Sequence, residues 1–284
     1  FLLGLVMLLF LVTRLYKITE IPQSVYWDEA SIGYNAYAVA TNLKDEWGEF
    51  LPLHFRAFGE FKLPVYIYSV ALLTKLFGLG PLAVRLPAVF YGLGVVILTY
   101  LLVVKITNDK KIGLTSAFIL TVSPWLFIFT RTGFEAVAGL FFFLVFIYFF
   151  LLYLEKRIFI VPASLAVILS FYSYNSFRIL IPIFILVFSV YLILNKRIKF
   201  DKKIYLEIIA ITIFVLSLIP TAKLFYLDRG AARFNTIGVS NPKSQVANYF
   251  SHFSFNFLFL QGDANNRHQQ PGWGQLYLIE LPLF

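Results

Sequence analysis

Cysteine is absent from this chain, and charge is scarce: 14% of the residues are Asp, Glu, Lys or Arg, against roughly 25% in a soluble protein. Without cysteine there are no disulfides and no thiolate metal sites. There is no G-x-x-x-x-G-K-[ST], so this segment does not hydrolyse nucleotides through a P-loop. There is no H-E-x-x-H, which excludes a zincin-type intramembrane protease. No apolar run carries the chain of acids that an ion pump uses as a relay. What the sequence has in abundance is apolar surface, with 60% hydrophobic residues and 19% aromatics. Apolar runs of about 18 residues or more recur, the length that a bilayer demands.

Basic residues outnumber acidic ones, 24 to 15, for a net charge of +9. Their placement decides between nucleic acid and membrane as the partner. Lys105, Lys110 and Lys111 fall in one gap between apolar runs, Lys156 and Arg157 in a second, and Lys196, Arg197, Lys199, Lys202 and Lys203 in a third. That is the pattern of cytoplasmic loops under the positive-inside rule, and it argues against nucleic-acid binding. With those gaps inside, the expected spans are Phe1 to Val12, Leu86 to Val104, Ile112 to Phe129, Ala136 to Leu154, Ile158 to Tyr172, Ile179 to Leu194 and Ile204 to Leu224. Another begins at Gln275. No small-residue cleavage site follows the first run, so it reads as a retained span rather than a signal peptide. The chain begins without Met and stops inside an apolar run. It therefore reads as one polytopic domain (residues 1–284) of a longer membrane protein whose C-terminal part is missing.

This topology leaves two external loops, at about 13–85 and 225–274. Pro64 to Phe77 is apolar but too short to cross comfortably. Counting it as a span would invert every later loop, so the expectation is a helix lying in the outer interface with Pro64 in its first turn. Ser31 to Leu43 is a second such helix, with Ile32, Ala36, Val39, Ala40 and Leu43 on one apolar face. The polar mass gathers in the external loops and at the outer span edges, which makes the outer face the working face.

The leading candidate for chemistry is Trp27-Asp28-Glu29, in the first external loop. Adjacent side chains point apart, by about 100° on a helix, so the two acids do not form a symmetric pair. One can face a reactive centre while the other orients a neighbour or a metal. A single carboxylate as general base is worth about 10² to 10⁴ in rate. The competing structural reading is a helix N-terminus, with Asp28 capping and Glu29 complementing the dipole. Arg131 and Arg178 sit where outward spans meet inward ones, and Lys62 immediately precedes the interfacial helix. Three cations at one depth suit the phosphate of a lipid, Arg through its planar fork. Snorkelling to headgroups is the alternative. Glu135 follows Arg131 by one helical turn, which would place the pair on one side. Trp27 and Tyr34 suit stacking on sugar faces or anchoring in the interface. In the late loop, His268 can ligate a divalent cation or position an acceptor. His54 has no partner that the sequence identifies.

In order and spacing, several stretches resemble the C-type (GT-C) membrane glycosyltransferases. The likeness is to the branch of dolichyl-phosphate-mannose protein mannosyltransferases and aminoarabinose transferases. The stretches are Trp27-Asp28-Glu29-Ala30, Phe61-Lys62-Leu63-Pro64-Val65-Tyr66, Ala83-Val84-Arg85-Leu86-Pro87, Ser123-Pro124-Trp125, Arg131 with Glu135, and Tyr172 to Arg178. The resemblance implies a polyprenyl-phosphate-linked sugar donor and inverting transfer on the outer membrane face. It implies Asp28 as catalytic base with Glu29 as its accessory, Lys62 on the donor phosphate, and Glu135 near the site. Leu63 departs from the usual Pro-Pro pair. In metal-binding relatives the ligands are an acid just before the Lys and a late-loop His. Here that place is Phe61, with Glu60 one residue earlier, so a divalent cation on Glu60 and His268 stays open and no cofactor is required.

The expectation is thus an all-α integral membrane protein, a GT-C-like helical bundle with juxtamembrane helices in its first external loop. It would sit in a prokaryotic plasma membrane, active face outside, among membrane lipids. It would transfer a hexose or pentose from a polyprenyl-phosphate donor to a protein, lipid or glycan acceptor. A polyprenyl-phosphate lipid transporter or flippase using the same cations is the alternative.

Overall fold

Apolar stretches bounded by proline at one end and glycine or asparagine at the other fold as helices. The computed structural model describes residues 1–195, 204–227, 242–265 and 272–283. The order is α1 (Leu2–Leu15), α2 (Trp27–Asn42), β1 (Phe55–Ala57), β2 (Glu60–Lys62), α3 (Pro64–Phe77) and α4 (Pro81–Thr107). Then come α5 (Lys110–Val122), α6 (Pro124–Phe129), α7 (Ala136–Tyr153), α8 (Ile160–Phe171), α9 (Phe177–Leu194), α10 (Tyr205–Ser217), α11 (Ile219–Tyr226) and α12 (Pro242–Ser251).

Among the described residues four stretches are long and apolar enough to cross a membrane: Pro81–Thr107, Ala136–Tyr153, Phe177–Leu194 and Tyr205–Tyr226. The expected span from Ile112 to Phe129 is divided. It breaks at Ser123, where Pro124 cannot donate to the preceding turn and opens α6 instead. The stretch from Gln275, expected to start another span, lies against the bundle through Trp125 N–H to Gln275 O (3.3 Å) and ends in a 3₁₀ turn, Leu278–Leu283. The third basic gap, residues 196–203, lies outside the described residues.

α3 has the bounds that Pro64 and Gly78 dictate: proline at its first position, and glycine at φ 77° after its last. Its buried stripe is Tyr66, Ile67, Val70, Ala71 and Thr74. It packs on Ile32, Ala36 and Val39 of α2 and on Val84 and Ala88 of α4. Leu72 and Leu76, on the other side, are exposed. α2 starts four residues earlier than expected, at Trp27. Asn35 proves buried, with its side chain donating to Glu46 Oε1 (2.8 Å) and accepting from Glu46 N (3.2 Å). Leu43, expected on the apolar face, is exposed in a left-handed C-cap.

The bundle has two chemically distinct ends. At one, Lys105 pairs with Glu155, and Arg157 takes Glu207 in a fork (2.7 and 2.8 Å) that Tyr153 joins. This end holds the C-termini of α4 and α7 and the beginnings of α8 and α10, together with the first two basic gaps. The opposite end gathers the first loop, the β-hairpin, the α6–α7 connection and the α8–α9 connection. The candidate site is there.

Candidate active site

Tyr26 is the N-cap residue of α2, so Trp27, Asp28 and Glu29 occupy its first turn. Glu29, not Asp28, serves the helix start: its Oε2 accepts from Tyr26 N at 3.2 Å, the reach-back half of a capping box. Glu29 is almost wholly buried and meets Arg85 of α4, which is equally buried, at 2.9 Å. Its Oε1 also accepts from Gly133 N at 2.8 Å. Arg85 spends its other donors on the carbonyls of Ile18, Pro22 and Ser24. This pair therefore ties the first loop, α2, α4 and the α6–α7 connection together. A side chain at Gly133 would lie 2.7 Å from Val84 Cγ1 and 3.2 Å from Glu29 Cγ, so only glycine lets the backbone approach the carboxylate.

About 100° around the helix, Asp28 faces another way. Its Oδ1 accepts from Lys62 Nζ at 2.6 Å and its Oδ2 from the Trp27 indole at 3.0 Å. The same ammonium lies 3.5 Å from Glu135 Oε1. The side chain of Lys62 is 5% exposed, against 21% for Asp28 and 15% for Glu135, so the acids form the open side of the cluster. Burial pulls the Lys62 ammonium down, but Glu135, the bond and charge of Asp28, and Glu60 outweigh it and hold it above the ordinary lysine value. Tyr26, close by, is pushed well above the usual phenol range by burial and by Glu135, Glu29 and Asp28.

The hairpin sets the direction of Lys62. Phe58 and Gly59 both have positive φ, 51° and 78°, the two-residue turn suited to twisted antiparallel strands. Strand alternation puts Glu60 on the same face as Lys62 and turns Phe61 away. The displacement of the acid by one residue thus keeps it on the Lys62 side. Among the described residues no group of three or more His, Asp or Glu side chains is disposed to hold a metal ion. His268 lies outside the described residues.

Two expected site residues lie elsewhere. Arg131 does not extend toward Lys62. Its guanidinium donates to the carbonyls of Thr13 (2.6 Å), Arg14 (3.3 Å), Tyr16 (2.8 Å) and Ile21 (3.0 Å). It clamps the end of α1 to the first loop. Its expected pairing with Glu135 fails because α7 begins only at Ala136, so the two residues do not share a helix. Tyr34 is six residues after Asp28 on α2, which places it about 120° around the helix from it. It is exposed there rather than lining the site.

Arg178, in the first turn of α9, does reach the hairpin. Its Nη2 lies 2.9 Å from His54 Nε2, and its charge lies over the rings of Phe171 (5.3 Å) and Tyr172 (6.0 Å). The α8–α9 connection is held to the start of α3 by Val65 N–H to Tyr172 O (3.3 Å). Sequence reasoning missed the partner of His54 and the role of Arg85. An arginine four residues into a 27-residue apolar helix was itself a signal, because such a charge is retained only where it is used.

An apolar bundle with a cluster of acids and one lysine at its end defines the class as a helical membrane protein. The sequence model of the dolichyl-phosphate-mannose-protein mannosyltransferase family matches residues 62–220, more than half of the chain, and the chain belongs to that family. No curated relative matches it. Its fold is similar to two crystal structures of ArnT from Cupriavidus metallidurans, both at 16% identity. One is in the apo state, with a TM-score of 0.56 over 82% of this chain and 41% of that one. The other is bound to undecaprenyl phosphate, with a TM-score of 0.57 over 90% and 44%. The chain thus spans less than half the length of these solved proteins.

Proposed function

We propose that this protein is an inverting membrane glycosyltransferase. It moves a sugar from a polyprenyl-phosphate donor to a protein, lipid or glycan acceptor on the outer face of a prokaryotic plasma membrane. The observation that carries this reading is Lys62 seated between Asp28 and Glu135 at the end of the bundle away from the basic gaps. Family membership and the fold shared with a protein crystallised with undecaprenyl phosphate support the donor class.

The donor's prenyl tail lies among the helices and its phosphate at headgroup depth. An acceptor hydroxyl or amine attacks the anomeric carbon from the face opposite the phosphate. The new bond forms as the bond to the phosphate oxygen breaks, and its electron pair leaves with that oxygen. Asp28 takes the acceptor's proton. Lys62 and Arg178 are the cations placed for the charge that develops on the phosphate, and such preset charges lower a barrier most effectively. A single displacement needs one base; a retaining route needs a second carboxyl group about 5 Å away acting as nucleophile. No cofactor enters this scheme, and Glu60 is the acid placed to join a divalent cation.

The test uses the full-length protein in proteoliposomes with radiolabelled polyprenyl-phosphate sugars and envelope acceptors, comparing wild type with Asp28→Asn. Release of label by wild type and a loss of about 10² to 10⁴ in rate in the variant, with membrane insertion intact, is the expected result. Near-normal transfer by Asp28→Asn would remove Asp28 as the base. No release with any donor, alongside movement of the lipid across the bilayer, would replace the enzyme with a transporter.

A further inference from the structure

Five arginines reach the working end of the bundle, and their donors are used differently; Arg56, in β1, is exposed and lies over the Trp47 ring at 4.8 Å. Arg85 and Arg131 are saturated by carbonyls and, for Arg85, by Glu29. Arg14 stacks between Phe10 and Phe127 and donates to Thr13 and Thr130. Arg14 and Arg178 each keep one buried donor without a hydrogen-bond partner, Nη2 and Nε respectively, and Arg178 is the one held by His54, next to the hairpin that carries Lys62. Among the described residues no carboxylate lies within ion-pair distance of Arg178, its Nε is buried without a hydrogen-bond partner, and its one side-chain hydrogen-bond partner is His54. A buried donor left unmatched in a native structure calls for an explanation.

The chemistry of the contact defines the state of His54. Guanidinium has donors and no acceptor, so at 2.9 Å the imidazole Nε2 must present its lone pair. The ring is then neutral, with its proton on Nδ1. Burial and the adjacent Arg178 charge push His54 down to about 4, in keeping with that tautomer. A carboxylate here would orient Arg178 equally well, but it would also cancel the charge and compete with an incoming anion. A neutral imidazole orients without cancelling. His54 also immediately precedes Phe55, whose strand partner is Lys62, so one hairpin fixes both cations.

We propose that His54 is a positioning residue: it holds the Arg178 guanidinium by one edge so that its uncancelled charge and unfilled donor are kept for the phosphate of the lipid-linked donor. This inference rests on the glycosyltransferase reading above and extends it to a residue that never touches substrate.

The experiment compares His54→Ala, His54→Gln and His54→Glu with wild type, in transfer kinetics and in direct binding of undecaprenyl phosphate to the purified protein in nanodiscs, with thermal unfolding alongside. A charge-assisted hydrogen bond to phosphate is worth about 1.5–3 kcal/mol, or about 10- to 100-fold in affinity. His54→Ala should raise the donor KM and the dissociation constant for undecaprenyl phosphate by that factor, with kcat within about threefold. His54→Gln, a neutral acceptor, should recover most of the loss. His54→Glu should bind the lipid no better than His54→Ala while unfolding at the wild-type temperature. Unchanged lipid affinity in His54→Ala would overturn the proposal. So would His54→Glu binding as tightly as His54→Gln, or a lower kcat at constant donor KM. The binding arm needs no turnover. If wild type binds the lipid and transfers nothing, the glycosyltransferase reading fails, while the role of His54 is still decided by the affinities.

Discussion

Asp28 and Glu29 are adjacent acids, and the structure assigns them opposite consequences on mutation. Glu29→Gln should cost folding stability, while Asp28→Asn should cost turnover. The Glu29 carboxylate accepts from Arg85 Nε and Nη2, from Gly133 N and from Tyr26 N, at 2.8–3.2 Å. An amide at position 29 can still accept through one oxygen. Its nitrogen, however, must face either Arg85 Nε with Gly133 N–H or Arg85 Nη2 with Tyr26 N–H, and every one of these is a donor. The Arg85 charge then has no counter-ion in a site from which water is excluded. Removing one partner of a buried pair costs about 3–5 kcal/mol, and one stranded amide adds about 1–3 kcal/mol. For a chain of this size that corresponds to a fall in Tm on the order of 10 °C.

Thermal unfolding in detergent, followed by intrinsic fluorescence at matched protein and lipid concentrations, measures this directly. Asp28→Asn is the control. Asp28 is partly exposed, and Lys62 keeps Glu135 when the Asp28 charge goes. Its Tm should therefore stay within about 3 °C of wild type, a cost of about 1 kcal/mol. Combining Glu29→Gln with Arg85→Met should destabilise by less than the sum of the single changes, because each already breaks the same pair. The reasoning fails if Glu29→Gln unfolds at the wild-type temperature, and fails more specifically if that stable variant has lost transfer. Glu29 would then be acting on substrate.

Gly133→Ala should destabilise by about 1–3 kcal/mol through overpacking, because the new methyl meets Val84 Cγ1 at 2.7 Å; a Tm within 1 °C of wild type would refute the close approach. Stability should also depend on pH through His54, whose value falls from 6.5 to about 4 on folding. The unfolded chain binds the proton more tightly, so this contribution is complete above pH 6.5 and is lost as the pH falls toward 4, at most about 3 kcal/mol. His54→Gln should flatten the acid limb of a Tm-against-pH curve between pH 6.5 and 4. Lys62 has the opposite sign: its raised value makes a contribution that is present below pH 10.5 and lost as the pH rises through the folded value.

Hydropathy placed the four stretches that are long and apolar enough to cross a bilayer, because length and composition decide that. The expected spans Phe1 to Val12 and Ile158 to Tyr172, by contrast, form shorter helices, Leu2–Leu15 and Ile160–Phe171. The bounds of α3 were legible to the residue, since Pro64 and Gly78 act through the backbone. The start of α2 was not: tyrosine is not a favoured N-cap, and the cap is completed by Glu29 reaching back. The divergence of Asp28 from Glu29 follows from 100° per residue, and Lys62 beside Asp28 was legible through the order of short motifs. The pairing of Arg131 with Glu135 was misjudged because the i, i+4 rule presumes one continuous helix, and the turn at Thr130–Phe134 breaks it. Glu29 with Arg85 and His54 with Arg178 are separated by 56 and 124 residues. Such contacts belong to tertiary packing, which no local pattern encodes.

Why one membrane edge should carry so many arginines becomes clear from their donors. A charge near hydrocarbon is tolerated when its hydrogen bonds are filled. Backbone carbonyls fill them at a loop of turns and bends between α1 and α2, so Arg85 and Arg131 do for this segment what a β-ladder would do in a soluble protein. Their charges are used up in building the floor of the site. Lys62 is neutralised by acids, and its exchange of Asp28 for phosphate would leave the carboxylate free just as the donor arrives. Arg14 and Arg178 each combine an unfilled buried donor with the absence, among the described residues, of a carboxylate partner, and Arg178 is the one held by His54 beside the hairpin that carries Lys62. Satisfied donors therefore set Arg85 and Arg131 aside as structural, and the tie to the hairpin that carries Lys62 is what separates Arg178 from Arg14 under the proposed function.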